Sequence, residues 1–338
     1  AGNLVHQLRV EVASLLGVSS ERICLPASAT LGLNQVIHGV VTSGTHVIAT
    51  AADHNATLRP LHYLKKKGHI QLTIVSCDER GWVDPDDIAR AWQPNTSLVT
   101  LSHSSNVTGV TQDVEPIVKV AREREALSLL DASQSLGHVA FSQYESMADV
   151  VVSPGHKWLM GMHGIAVLYA RQGIHFDPLI QGGTGSTSES LEMPSEMQDQ
   201  VEVGTLDFPA AAALLAGCRW LREERLESVA AACKGYVQAC YDALSDIRGV
   251  RLITPNPTSG ALGPPIISMV CDGYSPVEVA ALFEQIAGVQ VRSGYHCAAR
   301  IHEFLGTTKG GTVRISFGPF SGIEDVEAVV SATKKIML

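Results

Sequence analysis

Two short segments carry residue types suited to covalent chemistry. In Ser153-Pro154-Gly155-His156-Lys157-Trp158 a valine run gives way to a glycine turn and a lysine. Twenty-six residues before that lysine, Leu129-Leu130-Asp131-Ala132-Ser133-Gln134 ends a second apolar run on an aspartate. The separation suits two neighbouring strands of one sheet, and α/β proteins place their ligands at the carboxyl ends of such strands. Taken alone, a lysine after a strand is more often a surface charge. An acid at a strand end beside it is the pair that a pyridoxal-phosphate site needs, because the pyridine nitrogen keeps its proton only with an anion next to it.

The elements that must position these residues follow from the hydropathy pattern. Short β-branched runs at 46–50, 71–76, 97–102, 127–131, 149–153 and 164–170 alternate with amphipathic stretches at 58–67, 85–92 and 114–124, the signature of a parallel sheet with crossover helices. The segment 182–200 is rich in Gly, Ser, Thr and Glu and reads as a long exposed loop. Residues 209–245 read as one or two long helices. A second α/β unit follows, with strands near 266–270, 289–292 and 312–317 and helices at 276–287 and 324–336.

Composition bounds the function classes. The chain has 338 residues, 45% apolar and 17% charged, enough for about two globular domains. A formal charge of -9, with Lys65-Lys66-Lys67 the longest basic run, gives no nucleic-acid footprint; that run reads as a solvated helix end. No apolar stretch reaches the roughly 18 uncharged residues of a membrane span, and no signal peptide opens the sequence, so a cytoplasmic protein is expected. Seven scattered cysteines without a C-x-x-C pair suggest neither a disulfide framework nor a metal centre. The histidines, His103, His138, His163 and His296 among them, lack metal spacing and are read as structural, with His103 and His296 the first exceptions to consider.

From about Gly17 onward the sequence resembles the fold-type I pyridoxal-phosphate enzymes of the class V aminotransferase group, in its cysteine desulfurase and selenocysteine lyase branch. The resemblance rests on separated motifs. A G-H-K motif matches Gly155-His156-Lys157, implying that Lys157 bears the cofactor and that His156 lies by its phosphate. A D-x-x-Q segment matches Asp131 and Gln134, implying contacts to the pyridine nitrogen and ring hydroxyl. Asp53-His54 corresponds to a strand-end E-H pair, with His54 stacked on the ring and Asp53 in place of the usual glutamate. Ser105-Asn106-Val107-Thr108-Gly109 matches S-N-x-x-G and puts Asn106 near ring and substrate carboxylate. The phosphate belongs on the helix that follows Ser28-Ala29-Thr30, where free N–H groups and the helix dipole favour an anion. Ala29 stands where the family has threonine, so backbone amides carry more of the contact. Pro154 likewise replaces the usual hydroxyl before Gly-His-Lys, and Ser153 is the candidate to recover it.

Further along, Gly182-Gly183-Thr184-Gly185-Ser186 is similar to a G-G-T-G-S segment of a desulfurase-like subgroup. Val203-Gly204-Thr205 resembles A-G-T, whose threonine reaches the partner subunit's phosphate, implying a homodimer with Thr205 shared between sites. Arg292-Ser293-Gly294-Tyr295-His296-Cys297 contains the R-x-G-x-H-C pattern that sets a sulfur-accepting cysteine, Cys297, over the cofactor; outside this context Cys297 reads as a buried bystander. Arg314 matches the arginine that grips the substrate α-carboxylate, a task suited to a planar guanidinium. Arg292 joins the substrate-binding set, and Arg292 and His296 are the nearest groups to activate the thiol, whose nucleophilic form is the thiolate.

The fold implied is a fold-type I, aspartate aminotransferase-like large domain with a mainly parallel seven-stranded sheet, plus a smaller α/β C-terminal domain: 1–207 binding pyridoxal 5'-phosphate, 208–235 connecting helices, and 236–338 carrying the Cys loop. Relatives have a further N-terminal stretch with a D-N-A-A-T-type segment, and this sequence opens in the helix that follows it, 4–16. The implied reaction converts L-cysteine to L-alanine, with Lys157 as base, His54 placed for proton transfer and Cys297 taking the sulfur as a persulfide for an acceptor protein. Selenocysteine lyase, another cysteine β-lyase and a class V aminotransferase would share Lys157, Asp131 and Arg314. A non-catalytic scaffold would need none of these residues.

Overall fold

The computed structural model describes residues 2–139, 141, 148–259 and 263–338. Its helices are α1 (Gly2–Leu16), α2 (Ala29–Val40), α3 (Asn55–Lys66), α4 (Pro85–Arg90), α5 (Val114–Glu123), α6 (Met197–Val201), α7 (Phe208–Glu223), α8 (Leu226–Ser245), α9 (Pro276–Ala287), α10 (Ile301–Phe304) and α11 (Ile323–Met337). Its strands are β1 (Ile23–Cys24), β2 (Thr45–Thr50), β3 (Ile70–Val75), β4 (Thr96–Ser102), β5 (Leu127–Asp131), β6 (Val150–Pro154), β7 (Ala166–Ala170), β8 (Val250–Leu252), β9 (Ile266–Cys271), β10 (Arg292–Gly294) and β11 (Thr312–Ser316).

Seven strands form one sheet in the order β1-β7-β6-β5-β4-β2-β3. The pairs from β6 to β3 are parallel, whereas β7 runs antiparallel to β6 and β1 antiparallel to β7. The expected mainly parallel seven-stranded sheet is therefore present. Both faces are covered, so the strands are nearly continuous apolar runs whose successive side chains enter opposite cores. Ile48 of β2 and Val151 of β6 join α1, α5 and α7 on one side. Val47, Ala49, Val150 and Val152 join α2, α3 and α6 on the other.

Where the elements differ from the sequence reading, the reasons are local. β1 and β8 are two and three residues long, too short for alternation to register. β7 follows β6 after only residues 155–165, fewer than the dozen or so that a parallel crossover needs, so the chain turns back as a hairpin and the lysine lies in that turn. Within the expected loop 182–200, Met197 and Val201, four apart, bury into the α2 side as the short helix α6. The long helical region is two helices, broken at Arg225 with φ +58. α7 packs on α1, and α8 on α11 and β8. The second sheet is antiparallel, in the order β10-β11-β9-β8.

Candidate active site

Four parallel strands end together at one edge, and the reactive residues sit at or just beyond their ends. Asp131 closes β5 and pairs in register with Val152 of β6, five residues before Lys157. Ser102 closes β4. Asp53-His54 follow β2, where His54 caps α3 and its Nδ1 accepts the Ala56 N–H at 3.0 Å. Asp53 is fully buried and accepts from Thr50 N, Thr50 Oγ1, Thr100 Oγ1 and Ser102 N at 2.7–3.0 Å. It clamps the ends of β2 and β4 together and does not line the cavity; burial pushes its carboxyl up to about 6, against the four hydrogen bonds.

A cavity of about 250 Å³ opens at this edge. It brings together Ala29, Thr30, His54, Asn106, Asp131, Gln134, His156, Lys157 and Arg292 from the sequence-derived set, with Ser102, Ser104 and Ser133 added. α2 begins at Ala29 with Ser28 as its cap: the Ser28 hydroxyl accepts Leu31 N–H at 3.1 Å. The Ala29 and Thr30 N–H groups take no partner among the described residues. Asp131 is buried, accepts Ser133 N–H at 3.0 Å, and forms no ion pair among the described residues. Gln134 Oε1 accepts the Trp158 indole N–H at 3.1 Å; indole only donates, so the amide oxygen is committed to Trp158 and the NH2 group has no partner among the described residues.

The pKa perturbations follow the same geometry. Burial pulls Lys157 below the usual ammonium range; Asp131 opposes this, and the Arg314 and Arg292 guanidinium groups reinforce it. Burial also lowers His54, again against Asp131. Since Nδ1 of His54 accepts a backbone N–H, its neutral ring carries the proton on Nε2.

One residue expected at the cofactor lies elsewhere. Ser153 is buried in β6, its hydroxyl 3.3 Å from the Ala132 carbonyl oxygen, and does not line the cavity; alternation along the strand turns it away while Pro154 faces in. Thr205 is exposed and outside the cavity of its own chain. His296 is buried beside Cys297: its Nε2 pairs with Thr312 Oγ1 at 2.9 Å, and burial pushes it down to about 3. His103 is likewise structural, buried with Nδ1 2.9 Å from Ser135 Oγ. Sequence reading passed over Ser133, whose signal was its place between Asp131 and Gln134, and the stacking of His163 on His156 at 4.4 Å.

Cys297 is exposed and opens into a second cavity of about 420 Å³ between α2 and α3, which shares Thr30, His54 and Ala56 with the first. His54 thus lines both the cofactor cavity and the cavity that the thiol enters. The loop bearing Cys297 is pinned: the Asn106 amide donates to His296 O at 2.6 Å, and Asn55 N–H to Cys297 O at 2.7 Å. His296 and Cys297 both have left-handed φ, +49 and +59, a conformation that costs a non-glycine residue about 1–3 kcal/mol and persists only where surrounding contacts impose it. Arg292 Nη2 is 3.7 Å from Cys297 Sγ. Arg314 borders a third cavity that shares Lys157 and Gln134 with the first. Its Nη1 donates to Asn106 O at 2.8 Å, while its Nε is buried without a partner among the described residues.

The model of the class-V aminotransferase family matches residues 1–329 of the chain. The chain belongs to that family. Among curated relatives, the chain is 29% identical to a probable cysteine desulfurase of Methanothermobacter thermautotrophicus, over 98% of this chain and 83% of that protein. It is 30% identical to one of Aeropyrum pernix, over 98% and 86%. The apo structure of a cysteine desulfurase from Thermococcus onnurineus NA1 superposes with a TM-score of 0.90 at 28% identity, covering 99% of this chain and 84% of that one.

Class-V aminotransferases use pyridoxal phosphate, and four features of this chain fit that group. The two free N–H groups at the start of α2 suit a phosphate. The buried Asp131 carboxylate, without a cation of its own, suits a protonated pyridine nitrogen. Lys157, with its lowered pKa, lines the same cavity, and the Gln134 NH2 is available to a ring oxygen.

Proposed function

We propose that the protein is a cysteine desulfurase that converts L-cysteine to L-alanine and takes the sulfur onto Cys297. The observation that carries this reading is the pinned loop, which holds an exposed thiol beside Arg292 in a cavity that shares Thr30, His54 and Ala56 with the cofactor cavity. A transaminase or a lyase that expels its chalcogen directly has no use for that thiol. The desulfurase names of the relatives support the same reading.

Ala29, Thr30, His156, Asp131, Gln134 and Lys157 would hold pyridoxal phosphate. When bound, that group supplies a sink for the electrons left at the substrate Cα. Arg314, which borders the third cavity beside Lys157, binds the substrate carboxylate with the part of its guanidinium that Asn106 does not occupy. Lys157, its pKa lowered by burial, is deprotonated nearer neutrality than an exposed lysine and takes the Cα proton. His54 carries a proton on Nε2 and passes it between substrate and thiol. The Cys297 thiolate attacks the substrate sulfur: a sulfur–sulfur bond forms, the carbon–sulfur bond breaks, Cβ gains a proton, and alanine leaves. L-cysteine plus thiol thus becomes L-alanine plus persulfide, with no outside oxidant.

The working unit is a homodimer. Gly204 N–H bonds Gly183 O at 2.8 Å, joining 182–186 and 203–205 into one exposed surface, which supports Thr205 serving the neighbouring copy's phosphate. The persulfide passes to a sulfur-acceptor protein. Seven unpaired thiols suit a reducing cytoplasm; among the described residues no helix is long and apolar enough to cross a membrane. The test is a single turnover of the cofactor-loaded protein with L-cysteine and no added thiol. One equivalent of alanine per chain, with one sulfur atom added to the peptide containing Cys297, supports the reading; alanine without added sulfur refutes it.

A further inference from the structure

The second cavity, where Cys297 opens, adjoins the first but differs from it in charge: Arg59 and no carboxylate line it, whereas Asp131 lines the first. From Ile23 to Cys77 the chain has one carboxylate, Asp53, and it is fully buried with four hydrogen bonds. The same stretch carries Arg59, Lys65, Lys66 and Lys67 in a chain whose formal charge is -9. The surface built by α2 and α3 therefore exposes bases and no acids.

The bases are not scattered. Arg59 and Tyr63 line the Cys297 cavity, and Lys66 and Lys67 follow on the same helical face at spacings of three and four. Arg59, Tyr63, Lys66 and Lys67 are all exposed, and the Lys67 ammonium lies 5.6 Å from the Tyr63 ring centroid. At 1.5 Å per residue the stripe runs roughly 12 Å outward from the cavity mouth. Lys65 is set apart, its Nζ 3.4 Å from Leu72 O.

We infer that this basic face of α3 is the docking surface for an acidic protein whose thiol enters the second cavity and takes the sulfur from Cys297. The inference rests on the desulfurase reading and adds to it the acceptor's charge and its route. The transfer balances: the incoming thiolate attacks the outer sulfur of the Cys297 persulfide, the sulfur–sulfur bond to Cys297 breaks, and Cys297 leaves as thiolate while the acceptor becomes the persulfide. Opposite charge raises the encounter rate at low salt and loses its effect as salt screens it.

The experiment discharges the radiolabelled persulfide of the holoenzyme with two cysteine-containing peptides of equal length, one rich in Asp and Glu and one rich in Lys, and with dithiothreitol, across a salt series. The acidic peptide should discharge the label about tenfold faster than the basic one at low ionic strength, with the ratio falling towards one at high salt and in the Lys66→Glu/Lys67→Glu variant. Equal rates for both peptides at every salt overturn the inference, and dithiothreitol outpacing both assigns the cavity to small thiols instead. A holoenzyme that forms alanine but no persulfide marks failure of the desulfurase reading rather than of the docking surface.

Discussion

The turn that carries Lys157 rests backbone to backbone on α7, and Gly217 makes that possible. A Cβ at Gly217 would stand 2.2 Å from the Leu159 carbonyl oxygen and 2.9 Å from Met160 C. Ordinary contact begins near 3.4 Å, so Gly217→Ala must drive the turn and helix apart by roughly 1 Å, an overpacking that costs about 1–3 kcal/mol. Gly235 in α8 is the internal control: nothing lies within 4 Å of its Cβ position, so Gly235→Ala gains about 0.5–1 kcal/mol from helix propensity. The two substitutions are chemically identical and should move thermal stability in opposite directions. Because Leu159 is two residues from Lys157, a displacement of about 1 Å should also lower kcat about 100-fold in Gly217→Ala, with weaker retention of pyridoxal phosphate on dialysis. Differential scanning calorimetry and cofactor absorbance measure both effects. Equal Tm for the two variants, or full activity in Gly217→Ala, would refute the packing argument.

Three further outcomes follow from the site. Arg314→Lys exchanges a planar fork for a point charge and loses a charge-assisted pair of about 1.5–3 kcal/mol, so kcat/KM for L-cysteine should fall roughly 10- to 150-fold, while an unchanged value would remove Arg314 from substrate binding. His138 is buried, its Nε2 2.9 Å from Gly263 O, and burial pushes it down to about 4. The unfolded chain therefore takes up a proton near pH 6.5 that the folded one refuses until about 4, and folding stability should drop by about 3 kcal/mol as pH falls through that window; His138→Gln should flatten this part of a urea-denaturation series, and a curve identical to the parent's contradicts it. Trp158→Phe removes the donor that fixes the Gln134 amide and should change the visible spectrum of bound cofactor, which an identical spectrum would disprove.

Much of the site was legible because it lies at strand ends, where sequence order and spatial order coincide. Asp131 ends β5 and Lys157 follows β6, its parallel neighbour, as their separation implied, and α2 starts where the sequence placed it, with Ser28 as its cap. What could not be read were facts of orientation. Ser153 and Pro154 differ by one position on β6, and the pleat alone decides which faces the cavity. That His296 is buried and held by Thr312, sixteen residues away, is likewise a matter of packing that spacing does not show. The antiparallel return of β7 hid behind an apolar run that looks like any other buried strand.

The central claim is that the Cys297 thiol, and not water or bulk solvent, receives the substrate sulfur. The most direct measurement compares alanine formation from L-cysteine by the pyridoxal-phosphate-loaded protein and by Cys297→Ala, each with cofactor content verified by absorbance. The account predicts alanine from the parent and none above background from the variant, with cofactor content equal; alanine from both at the same rate would contradict it.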